Sequence, residues 1–158
     1  MRTTTGLAAE AMRSGSPSAR MAHALLFERV MERIHRYFKR VIFDPDGADD
    51  CLQRTLLLLE ESLRERKYDP GRSFNVWLWL KAKTVYAQYC RERSRRPGRL
   101  PDGMEGGGVS GRRRVERRLD GRALLERMRE QLGEEAHQAF VLYYEGDLTQ
   151  EEVGEVLD

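Results

Sequence analysis

Residues 73–96 read SFNVWLWLKAKTVYAQYCRERSRR. Phe74, Leu78, Ala82, Val85 and Tyr89 recur at steps of four and three, which lines one face of a helix with about 3.6 residues per turn. Ser73 stands where an N-cap belongs. Trp77, Thr84, Gln88, Arg91 and Arg95 fall along one flank of that face. The flank therefore carries an indole, two hydrogen-bonding side chains and two guanidiniums in a row. Such groups stack on unpaired bases and hold phosphates. The same pattern also suits a core helix with a solvated, charged end, and the rest of the chain has to separate the two.

Working outward, the neighbouring stretches are helical too. Between Leu25 and Phe43, residues Phe27, Val30, Met31, Ile34, Phe38 and Val41 recur at helical spacing, and Asp44-Pro45-Asp46-Gly47 ends the run. A second helix is expected from Ala48 to about Arg66. Asp46 is its expected cap, and Leu52, Leu56, Leu59 and Leu63 its inner stripe. Tyr68-Asp69-Pro70-Gly71 reads as a turn. Three helices on short turns imply a compact bundle over 24–96, preceded by a loose polar tail over 1–23.

Pro97 to Gly111 holds two prolines and six glycines in fifteen residues, so 97–117 is expected to be a flexible linker. Beyond it, Leu119, Leu124, Leu125, Met128 and Leu132 suggest a fourth helix that Gly133 breaks. Glu134 to Glu145 is a fifth, with Ala136, Phe140, Val141 and Tyr144 expected inward and Gly146 as a left-handed stop. Thr149 with Glu152 forms a capping box that opens a sixth helix carrying Val153, Val156 and Leu157. The fold class is therefore all-α, in two small helical units. The second unit, 118–158, is too small to support itself well and is expected to be the more mobile.

Composition narrows the function. No apolar run approaches the roughly 20 residues of a bilayer span, and nothing resembles a secretory signal. Cys51 and Cys90 stand apart without ligand spacing, which fits a reducing, cytoplasmic setting. His23, His35 and His137 are scattered and pair with no nucleophile, so neither an enzyme nor a metal or cofactor site is expected. The net charge of +2 conceals segregation. Basic residues crowd Lys81–Arg99 and Arg112–Arg118, whereas Glu145–Asp158 holds six acids and no base, and Asp44, Asp46, Asp49 and Asp50 form a second acidic cluster. One surface suits a polyanion and others a basic protein partner, although charge placed for solubility alone would look similar.

With these pieces in order, the chain resembles a bacterial RNA polymerase sigma factor of the sigma-70 family, extracytoplasmic-function (ECF) type. DPDGADDCLQRTL (Asp44–Leu56) looks like the family's acidic helix start. YDPGRSFNVWLWLKAKTV (Tyr68–Val85) looks like its Phe-x-x-Trp-Leu helix after an Asp-Pro-Gly-Arg turn. EEAHQAFVLYYEGDLTQEEVGEVL (Glu134–Leu157) looks like the opening of its C-terminal helix-turn-helix. The resemblance implies a three-helix region two that binds the polymerase clamp helices and captures the melted minus-ten element. It also implies a region four that binds the polymerase flap and reads the minus-thirty-five element. An anti-sigma factor is a further partner it implies.

Carried across by position, Asp49, Asp50 and Gln53 face core RNA polymerase, though Asp49 and Asp50 would serve equally as dipole caps. Lys83, Thr84, Gln88, Tyr89 and Arg91 match positions near the non-template strand of promoter DNA, with Trp77 as a base-stacker. Arg93, Arg95 and Arg96 add phosphate attraction. Tyr89 and Trp77 also suit core packing. Three departures stand out. Arg54 sits where the family has an acid, Thr84 and Gln88 replace an Asn and an Asp, and the chain stops at Asp158 where a recognition helix would begin. The expected molecule is thus a sigma factor with a shortened region four. Its rivals are a sigma-like competitor that holds polymerase without choosing promoters, and a helical DNA-binding regulator independent of polymerase.

Overall fold

The computed structural model describes residues 2–13, 15–95 and 109–158, with side chains of the last stretch described from residue 123. Arg96 and the linker residues 97–108 lie outside the described residues. Six α-helices make up the regular structure among them: α1 (Thr4–Ala11), α2 (Pro17–Val41), α3 (Pro45–Arg64), α4 (Phe74–Ser94), α5 (Val109–Glu145) and α6 (Gln150–Leu157).

Short polar side chains set the helix starts. Ser16, Asp44, Ser73 and Thr149 each accept a hydrogen bond from a backbone N–H of the first turn. At α3 the cap is Asp44, not the expected Asp46. Pro45 sits in the first turn, where its missing N–H costs nothing, so the helix begins three residues before Ala48. At α6 the capping box forms as expected: Glu152 N donates to Thr149 Oγ1 at 3.2 Å and Thr149 N to Glu152 Oε2 at 3.0 Å.

The core is built where α2, α3 and α4 meet. α2 buries Leu26, Val30, Ile34, Tyr37, Phe38 and Val41, while Met31 lies exposed and Phe27 stacks half-buried on His23. α3 does not turn its expected leucine stripe fully inward. Ala48, Cys51, Thr55, Leu59, Ser62 and Leu63 are buried, and Leu52 and Leu56 are half-buried. The buried Thr55 hydroxyl satisfies itself by donating to Cys51 O at 2.8 Å.

α4 buries two stripes. Phe74, Leu78, Ala82 and Val85 form the expected one, and Val76, Trp79 and Tyr86 form another. The second stripe faces α6 and the end of α5, where Val141, Leu142, Leu148, Val153 and Val156 join the same core. The expected separate C-terminal unit therefore shares its apolar interior with the bundle.

Four further expectations are corrected. The tail over 1–23 contains α1 and the first turns of α2. Leu7 and Ala8 are completely buried, and Phe74 N donates to Thr5 Oγ1 at 3.2 Å. An isolated helix this short is unstable in water, so packing on α2 and α4 makes it. The linker over 97–117 is helical from Val109, where the arginine-rich run favours helix after the glycines. Gly133 does break the helix, at φ 84° and ψ 166°. Beyond it the inward residues are His137, Val141 and Leu142, whereas Ala136, Phe140 and Tyr144 are exposed. Gly146 is not the left-handed residue; Asp147 is, at φ 53°. Gly146 is required for a different reason. A Cβ there would lie 2.3 Å from Leu142 O and 3.2 Å from the Trp79 ring.

Candidate nucleic-acid and partner interface

Two stripes of α4 are buried from Phe74 to Tyr86, and its remaining side faces solvent. Thr84, Gln88, Arg91 and Arg95 are all exposed on it. Thr84 donates its hydroxyl to Leu80 O at 2.9 Å, which leaves oxygen lone pairs facing solvent. At the N-terminal end of the same side, Trp77 is half-buried among Tyr68 and Phe74, with ring centroids 5.1 and 5.6 Å away. The Lys81 ammonium lies 5.4 Å from the Trp77 ring centroid. Trp77 is thus packed against the core on one side, with a cation over its ring.

Tyr89 and Arg93 form a pair on an adjacent flank. Arg93 Nη1 donates to Tyr89 Oη at 2.8 Å. Burial raises the Tyr89 phenol above its ordinary pKa, against the opposing pull of Arg93, so it stays protonated at neutral pH. The ring lies against the first turn of α3, where a Cβ at Gly47 would fall 2.5 Å from the tyrosine oxygen. Tyr89 therefore braces the α3–α4 junction, and its half-buried ring serves packing first.

Lys83 is elsewhere. Its ammonium donates to Val156 O at 2.9 Å and Leu157 O at 3.0 Å, at the C-terminal end of α6. The spacing 76, 79, 83, 86 puts Lys83 on the second buried stripe, away from Thr84 and Gln88. Arg96 lies outside the described residues.

The three residues expected to face polymerase lie together on the exposed first half of α3. Asp49 Oδ1 is 2.8 Å from His35 Nε2. Asp50 Oδ2 is 2.8 Å from Arg54 Nε, and Gln53 is exposed. Arg54 also reaches Glu92 at 3.0 Å, tying α3 to α4. This accounts for the basic residue at that position: it links two helices and partly neutralises Asp50. The hydrogen bond to Glu92 holds the guanidinium firmly in its charged form. Such exposed pairs stabilise little and leave both acids accessible.

Several residues of consequence were missed in the sequence. Trp79 is fully buried, and its Nε1–H donates to Gly146 O at 3.0 Å, a contact that Arg33 Nη2 shares. The repeat Val76, Trp79, Tyr86 was a legible second stripe, but the stronger stripe beside it masked it. Tyr86 Oη donates to Glu134 Oε1 at 2.8 Å, and Arg129 holds the other carboxylate oxygen. Burial opposes the Glu134 charge, yet these bonds outweigh it and hold the carboxyl below its usual range. No sequence signal marked this α4–α5 link. Among the described residues no cluster of His, Cys, Asp or Glu is arranged to hold a metal, and no helix is long and apolar enough to cross a membrane.

Comparison with protein-family models, with curated proteins and with solved structures finds no match to this chain.

Proposed function

We propose that this chain is a sigma-type transcription initiation factor of the ECF kind. It binds core RNA polymerase through Asp49, Asp50 and Gln53 and holds melted promoter DNA along α4, in the cytoplasm. The observation that carries the reading is the exposed row Thr84, Gln88, Arg91 and Arg95, which continues from the packed part of α4 (Phe74–Tyr86) into its solvent-exposed last turn. A row of hydrogen-bonding and guanidinium groups fits an extended single strand. The guanidiniums track phosphate, and Thr84, Gln88 and Trp77 meet bases. The cluster of exposed acids at the start of α3 fits a basic helical partner, and Arg54 joins it to Glu92 of α4. The reaction chemistry belongs to the polymerase, and an anti-sigma factor is a further partner in this reading.

Binding of labelled single-stranded promoter DNA to the chain with core polymerase tests it, measured by anisotropy over a salt series. Arg91→Ala/Arg95→Ala should weaken binding and reduce the salt slope by about 1.4, at roughly 0.7 per phosphate contact on a single strand. Asp50→Lys should weaken association with core enzyme. No association of the unsubstituted chain with core polymerase would overturn the proposal.

The engagement of Lys83 by α6 favours a second reading, a sigma-like protein that occupies polymerase without opening promoters. Transcription on a pre-melted bubble with none on duplex promoter would select that reading.

A further inference from the structure

We infer that Cys51 and Cys90 are a peroxide-responsive pair that closes into a reversible disulfide between α3 and α4. The inference stands apart from the assignment of α4 to nucleic acid.

The two cysteines are free and far apart in sequence, and the fold brings them to one junction. α3 and α4 pack in opposite directions, the start of α3 against the end of α4. Two links fix how the helices are matched there. The Tyr89 ring lies over Gly47, where a Cβ would fall 2.5 Å from its oxygen, and Arg54 Nη1 meets Glu92 Oε1 at 3.0 Å. Cys51 stands between Gly47 and Arg54 on α3, and Cys90 between Tyr89 and Glu92 on α4, so both links bracket the pair. Cys51 is completely buried in the core cluster, and Cys90 packs half-buried against the same cluster. The electrostatics agree. Burial pushes the Cys51 thiol up to about 12, with Asp50 and Cys90 adding to the push. Both cysteines also act on the buried Tyr37 phenol of α2.

The two thiols have unequal access. Cys51 is 0% exposed and Cys90 meets solvent, so hydrogen peroxide reaches Cys90 first. The Cys90 thiolate attacks one peroxide oxygen. An S–O bond forms, the O–O bond breaks, and the departing hydroxide takes up the proton released by the thiol. The Cys90 sulfur is thereby oxidised to a sulfenic acid and the peroxide reduced to water. The Cys51 sulfur, as thiolate, then attacks the Cys90 sulfur. The S–S bond forms, the S–O bond breaks, and the leaving hydroxide takes up the Cys51 proton. Two thiols and one peroxide give one disulfide and two waters, and a thiol reductant reverses the change. Because Cys51 holds its proton tightly, the second step is the slower one and the sulfenic acid accumulates first. The closed bridge ties the exposed last turn of α4 to the acidic start of α3.

The test treats the full folded chain with hydrogen peroxide, followed by intact mass spectrometry and peptide mapping without reductant. The chain should lose the mass of two hydrogen atoms, and the peptides holding Cys51 and Cys90 should run as one linked pair that dithiothreitol separates. At early times dimedone should label Cys90 and spare Cys51. Cys51→Ala removes the resolving thiol, so the bridge should vanish and the Cys90 sulfenic acid persist. Oxidation that ends as sulfinic acid on Cys90, chains linked to one another through Cys90, or two thiols still free would each overturn the pair. Should circular dichroism show Cys51→Ala unfolded, the peptide map of the unsubstituted chain decides.

Discussion

Trp79 and Trp77 are two residues apart and have different tasks. Trp79 is enclosed by the core and donates to Gly146 O, whereas Trp77 is half-exposed beneath Lys81. Trp79→Phe removes the indole donor and leaves unfilled volume, and should cost about 2–3 kcal/mol in chemical denaturation. Trp77→Phe should cost less than about 1 kcal/mol. Equal losses would contradict the burial difference. His137 is also informative. It is 2% exposed, and its Nε2 has no hydrogen-bond partner among the described residues. Burial, aided by Arg129, lowers its pKa from 6.5, so the folded state keeps the ring neutral. The unfolded chain takes up the proton first. The contribution is therefore complete above pH 6.5 and is lost as pH falls through the lowered folded value. The melting temperature should drop as pH falls below 6.5, and His137→Leu should flatten that drop. An unchanged profile in the variant would assign the loss to other groups.

At the scale of single helices, α1 separates packing from local propensity. It is eight residues long, and nothing in its pattern marks it as a stable helix. Yet Leu7 and Ala8 are completely buried against α2 and α4. Leu7→Ala should cost about 2–5 kcal/mol, as for a core leucine. A change within about 0.5 kcal/mol would mean that the segment is the loose tail its sequence suggests. The sixth helix is the opposite case, because its cap is written in the sequence. Thr149→Ala should cost about 1 kcal/mol and loosen α6 before the bundle, as read by amide exchange of 150–157.

At the scale of the whole molecule, the C-terminal segment and the bundle share one interior. Val141, Leu142, Leu148, Val153 and Val156 lie in the same buried cluster as Trp79 and Tyr37. Unfolding followed by helical circular dichroism and by tryptophan fluorescence should therefore coincide in one transition. Two resolved transitions would indicate separately folding units. α6 still exchanges ahead of that transition, because local opening of an eight-residue helix needs less than the global free energy.

Much of this molecule was settled by its sequence alone. The 3.6-residue spacing of Phe74, Leu78, Ala82 and Val85 specified α4 and its inner face, because apolar periodicity is a property of neighbours along one chain. The caps Ser73 and Thr149 were equally local, since a cap bonds within its own turn. So was the exposed row Thr84, Gln88, Arg91 and Arg95, which lies on the flank left over once the apolar face is turned inward. Tertiary structure decided what lies on the second side of α4. Whether Lys83 faces solvent or the end of α6 depends on residues more than fifty positions apart, and whether Phe140 or His137 turns inward depends on what packs against α5. Each alternative satisfies local periodicity equally, and only the shared burial around Trp79 and Gly146 separates them.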